Sequence, residues 1–174
     1  MTTAAAGHRA EARRLLRTYL RDHDAGALAG SRRLASAAQA HRDPAARLEL
    51  GRLHAETEED RRSLAEVMRR LGVPGDPFKR LALSAGEQLG RLKPNGFLTQ
   101  RSPLTDVVEL EAMAMAVTGR LRLWETLDAL GPDVTATGHD ELAALQARAT
   151  DQAERLQRLH TSAATSLASR DSPA

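Results

Sequence analysis

The sequence has no cysteine, no isoleucine and few aromatic residues, with Tyr19 and Trp124 each alone of their kind and phenylalanine only at Phe78 and Phe97. Without thiols there can be no disulfide, thiolate metal site, iron–sulfur cluster or cysteine nucleophile. Without isoleucine and with so few rings, strands lack the side chains that suit them, whereas Ala, Leu, Val and Met favour helices. So few rings also cannot build a stacking platform for single-stranded nucleic acid. Lysine is nearly missing, present only at Lys79 and Lys93. Arginine therefore carries the positive charge, which explains an isoelectric point of about 9.6 in a chain whose formal charge is only +2. A field that weak does not favour nucleic acid as a partner. No uncharged run approaches the roughly 18–20 apolar residues of a membrane span. Met1 to Gly7 also lacks the basic and apolar stretches of a signal peptide. The expectation is a cytoplasmic protein with no membrane partner.

The chain has 174 residues, 41% hydrophobic and 28% charged, which suits one globular domain. That domain is expected over residues 8–168, with disordered ends at 1–7 and 169–174. Helix one is expected from about His8 to His41. At about 100° per residue its apolar face holds Leu16, Tyr19, Leu20, Ala27, Leu34 and Ala38, and Gly26 and Gly30 beside it suggest close approach by a neighbour. Asp43-Pro44 reads as the cap and first residue of helix two, which runs to about Leu71 and stops at Gly72. Helices one and two thus form an antiparallel hairpin. Ser102-Pro103 opens helix three, which ends at Gly131-Pro132. Thr137-Gly138-His139-Asp140 reads as a capping box for helix four. Its inward stripe is Leu142, Leu145, Ala149, Gln152, Leu156, Leu159 and Ala163.

Residues 72–102 are long enough to run the length of a bundle and to carry a short extra helix, about Pro77 to Leu89. Two hairpins joined by one long crossover make a ferritin-like four-helix bundle, so the fold class is all-α. A plain bundle with a decorated loop is the alternative. Helix three is apolar on two sides, with Leu104, Val108 and Met115 opposite Leu110, Val117, Leu121 and Trp124. The second side needs a cover, either the crossover or another subunit.

Many ferritin-like folds hold two irons, which requires inward carboxylates and Glu-x-x-His pairs. No Glu-x-x-His occurs in the chain. Helix three offers Ala114 and Val117 at the height where a bridging carboxylate would stand, and its acids Glu109 and Glu111 fall to the side. A single transition metal on His23, His54 and Asp60 is the remaining metal arrangement; no catalytic residue and no cofactor is otherwise expected. The plainer reading is a buried polar layer of His23, Thr57, Asp60, Arg61 and Gln152, with Arg61 satisfying Asp60.

Arg9, Arg13, Arg14, Arg17 and Arg21 make the start of helix one basic. This is either a phosphate-binding face or a solvated one opposing the acidic run Glu56 to Asp60. The basic loop Arg91 to Arg101, just before a helix start, is either an anion site or a turn and cap.

The stretch Leu89 to Gly96, Ser102-Pro103-Leu104, Glu109-Leu110-Glu111 and Leu123-Trp124 resembles a family of uncharacterised ferritin-like helical-bundle proteins of high-GC bacteria. Tyr19 to Gly26 is similar to that family's first helix. The resemblance implies the bundle fold and brings no assigned activity. Three functions stay open: a non-catalytic structural or interaction module that self-associates or meets a protein partner through helix three, a protein with a degenerate intrabundle metal site, and a carrier holding a small ligand in the polar centre.

Overall fold

Proline and small polar residues fix where the helices start. Asp43 accepts a hydrogen bond from the Ala45 amide at 2.9 Å with Pro44 in the first turn, and Ser102 accepts from the Leu104 amide beside Pro103. Each cap satisfies one of the amides that a helix start leaves without an internal partner. Gly72 and Gly131 end the same two helices at φ of 62° and 79°, where a side chain would be strained.

The computed structural model describes residues 2–75 and 102–168. The chain there is an all-helical, five-helix bundle: α1 (Thr2–Ala40), α2 (Pro44–Arg70), α3 (Pro103–Leu130), the single turn α4 (Pro132–Thr135) and α5 (His139–Ala168). The expected crossover helix at Pro77 to Leu89, the basic loop 90–101 and the tail 169–174 lie outside the described residues.

Side-chain contacts give the direction of each of the four long helices. Ser31 meets His54 and Glu58 while Arg21 reaches Pro74 O just past the end of α2, so α1 and α2 are antiparallel. Tyr19 bonds Thr126 while Gly30 lies against Ala116, so α1 and α3 are antiparallel as well. Asp128 meets His139 while Glu111 meets His160, which sets α3 against α5. The order is therefore up, down, down, up. The end of α2 and the start of α3 stand at opposite ends of the bundle, as a crossover connection requires.

The apolar core is split in two. One cluster gathers Leu20, Leu64, Met68, Leu123, Trp124, Leu127, Leu142 and Leu145 near the turn between α3 and α5. The other gathers Leu34, Leu50, Leu53, Leu110, Met113, Val117 and Leu156 toward the opposite end. The expected stripe on α5 is buried from Leu142 through Leu156 and becomes half-buried at Leu159 and Ala163. On α3, Leu110, Val117 and Trp124 are buried, whereas Leu104, Val108 and Met115 are exposed.

Three local expectations need correction. Helix one starts at Thr2 rather than His8, because the alanines at 4–6 are strong helix formers that extend it. The capping box at Thr137 does not form. Its hydroxyl donates back to Thr135 O at 3.1 Å, and the first helical bond of α5 runs from Leu142 N to Gly138 O. Glu109, expected beside the apolar face, is buried.

Candidate functional site at mid-bundle

Between the two apolar clusters lies a layer of polar side chains from α2, α3 and α5. Asp60 and Gln152 are fully buried and Thr57 is 3% exposed. Asp60 faces two guanidinium groups: Arg148 Nε stands 2.7 Å from Oδ1 and Arg120 Nε 3.3 Å from Oδ2. Neither N–H is aligned with its oxygen as a hydrogen bond, so the attraction is one of charge. Directed bonds come from Gln152, whose amide donates to Asp60 Oδ2 at 3.1 Å while its carbonyl accepts from Arg120. Burial pushes the Arg120 guanidinium below its ordinary value, and the Asp60 charge opposes that shift.

Toward the surface between α2 and α5 the network continues. Arg155 donates to Glu49 at 2.6 Å and to both oxygens of Glu56 at 2.8 Å. Arg148 also donates to Glu59, and Arg70 to Glu141. This seam is closed by long, charged side chains.

The seam between α1 and α3 is different. A Cβ added to Gly30 would lie 3.5 Å from the Ala116 methyl, an ordinary contact, whereas a Cβ at Gly26 or Gly119 would meet nothing within 4 Å. Close approach is therefore confined to Gly30. Beside it the helices flank an open-mouthed cavity of about 440 Å³, with Asp22, Gly26 and Ala116 exposed at its rim, that reaches inward to Thr57, Asp60 and Arg120. Tyr19 and His23 line it as well, their rings edge to face with centroids 4.5 Å apart. Burial lowers the His23 pKa and the Asp22 charge offsets this only in part, so the ring is neutral near pH 7. The Thr57 hydroxyl, buried in the cavity wall, has no hydrogen-bond partner.

The sequence-expected residues are dispersed over this layer. His23, Thr57 and Asp60 all line the cavity, and Gln152 stands behind Asp60. His54 is turned toward Ser31, with Nδ1 and Oγ 3.3 Å apart. Arg61 does not satisfy Asp60. It donates to Glu58 at 2.7 Å, because one turn along its own helix is within easier reach than the interior. Burial raises the Glu58 carboxyl, but bonds from Ser31 and Arg61 outweigh it and hold it below its ordinary value.

Among the described residues no three His, Asp or Glu side chains come together as a metal-binding group. An ion at Asp60 would have to displace two arginines. The acidic run of α2 also does not face the basic start of α1. The antiparallel register sets Ser31 against Glu58, so residues 9–21 of α1 lie beside and beyond the end of α2. Arg13, Arg14 and Arg17 are exposed there.

Arg120, Arg148 and Arg155 were not anticipated as members of the layer. Their positions carry a readable signal. Arg120 falls between the inward Val117 and Trp124, and Arg148 and Arg155 flank the inward Gln152 at one-turn spacings.

Among the described residues no helix is long and apolar enough to cross a membrane. Comparison of the chain with protein-family models, with curated proteins and with solved structures gave no match.

Proposed function

We propose that the chain is a non-catalytic, ferritin-like bundle that holds a small molecule at its centre. The observation that carries this reading is the cavity of about 440 Å³, whose wall includes a buried hydroxyl without a partner. Its size falls within the ordinary range for ligand pockets, and its mainly apolar walls with a few polar groups follow their usual pattern. The up, down, down, up order supports the ferritin-like reading.

Thermal-shift screening of the full chain against neutral and charged small molecules tests the proposal. A true ligand present at about 100 times its Kd adds about 2.7 kcal/mol and raises Tm by about 5–10 °C. Gly26→Leu, which fills the cavity from a position with open space, should abolish that shift while leaving the bundle folded. Equal shifts in both proteins would refute a ligand at this place.

A second reading concerns self-association. Leu104, Val108 and Met115 form one exposed apolar stripe on α3, with Met115 70% exposed. A second copy covering that stripe predicts a dimer that dissociates over about a hundredfold dilution and is lost in Met115→Lys. A monomer at every concentration would exclude it.

A further inference from the structure

The chemistry of the cavity wall narrows the ligand class, an inference that rests on the binding function proposed above. Its apolar part comes from all three helices that line it: Ala27 and Leu34 on α1, Leu64 on α2, and Met113, Val117 and Leu123 on α3. Such walls fit a hydrocarbon body and leave few places for polar groups.

The polar groups are of two kinds. Thr57 and Arg120 are donors in want of an acceptor. The Thr57 hydroxyl is buried without a partner, and the Arg120 Nε–H is near Asp60 but not aligned with it. A buried donor gains more than an exposed one from a ligand acceptor, because water does not compete for it. The second kind is negative: Asp22 and Asp60 both line the cavity. An anion finds Arg120 already committed to Asp60, and the neutral His23 supplies no further positive charge. A cation fares no better, since Asp60 already faces Arg120 and Arg148 and Asp22 stands exposed at the mouth, where water screens its charge. Any charged ligand would lose its water without gaining an uncommitted counter-charge.

We infer that the cavity takes an uncharged, mostly apolar molecule bearing one carbonyl oxygen, which accepts a hydrogen bond from Thr57 with the Arg120 guanidinium as the neighbouring donor. The carbonyl selects the orientation, and the apolar body supplies most of the affinity.

Three probes of nearly equal shape separate the parts of this inference: acetophenone, benzoate and cumene, titrated calorimetrically into the full chain at neutral pH. Acetophenone should bind at a single site. Cumene, which lacks the acceptor, and benzoate, which adds a charge, should each bind about tenfold more weakly or worse. Thr57→Val keeps the shape and removes the hydroxyl, so it should weaken acetophenone about tenfold and leave cumene unchanged. Gly26→Leu should abolish binding of all three. Benzoate binding as tightly as acetophenone, or a Thr57→Val variant that binds acetophenone unchanged, would overturn the neutral-carbonyl inference while leaving a ligand-binding cavity in place. No binding of any probe to the wild-type chain would overturn both.

Discussion

The two seams along which the hairpins meet are built from opposite materials. Between α2 and α5, Arg155 reaches Glu49 and Glu56, Arg148 reaches Asp60 and Glu59, and Arg70 reaches Glu141. Between α1 and α3 lie the close contact of Gly30 with Ala116, apolar packing of Leu20 and Leu34 in the two clusters, a hydrogen bond from Tyr19 to Thr126, and open volume. The charged seam fixes register, because a shift of one turn would separate every pair at once. Its net contribution to stability is smaller than its length suggests, since each buried charge first loses its hydration. With register held on that side, the other seam is free to leave space. The polar layer joins the two: Asp60 belongs to the ion pairs and to the cavity wall alike.

Removing Asp60 should break this comparison most severely. Asp60→Ala strands Arg120 and Arg148 without their shared carboxylate and is expected to cost about 3–5 kcal/mol in denaturant unfolding. Replacing both Asp60 and Arg120 by Leu should recover part of that loss, because the more deeply buried unpaired charge is then gone while Arg148 keeps Glu59. A single variant as stable as wild type would show that the layer is solvated rather than buried.

A purely apolar change gives the reference. Leu156→Ala, in the apolar cluster with Leu50, Leu53 and Leu110, should cost about 2–5 kcal/mol as a cavity. An unchanged melting temperature would mean that the inward stripe of α5 is misplaced.

The cavity seam should respond in the opposite sense. Gly26→Ala adds a methyl where nothing lies within 4 Å and removes a helix-interior glycine, so it should stabilise by about 0.5–1 kcal/mol. The same change at Gly131, where φ is 79°, should destabilise. A loss at Gly26 measured by thermal unfolding would place a neighbour where the structure has space.

The smallest effects are in titration. Burial lowers the His23 pKa, while a hydrogen bond to Asp128 raises that of exposed His139. Protonating His23 therefore favours the unfolded chain, and its contribution falls as pH drops below the ordinary imidazole value. His139 runs the other way: its contribution is complete below that value and disappears as pH rises through its folded pKa. Ring-proton NMR should show the two histidines titrating on opposite sides of the unfolded reference. Coincident curves would contradict the half-buried placement of His23.

Much of the architecture was legible because it depends on local rules. Asp43-Pro44, Gly72 and Ser102-Pro103 mark helix ends through capping and φ alone, and the α5 stripe follows from period. Thr137 misled because Ser/Thr hydroxyls bond nearby carbonyls as readily as helix amides, and here the single turn α4 placed Thr135 O within reach. The site was legible only in part. Thr57, Asp60 and Gln152 stand at inward positions by periodicity, but pairing depends on which helix lies opposite and at what height. Arg61 neighbours Asp60 in sequence yet bonds Glu58, while Arg120 and Arg148 come from distant helices. The cavity left no sequence signal beyond Gly26 and Gly30, and those two glycines turn out to differ: Gly30 meets Ala116 and Gly26 opens onto space.

The central claim is that the α1/α3 seam, and not the α2/α5 seam, receives a ligand. Methyl-resolved NMR during addition of acetophenone tests it most directly. The account predicts shifts at Ala27, Met113, Ala116 and Val117, which line the cavity, with Ala46 and Ala149 unmoved and every shift lost in Gly26→Leu. Shifts centred on Ala149, or none at the cavity methyls under saturating ligand, would contradict it.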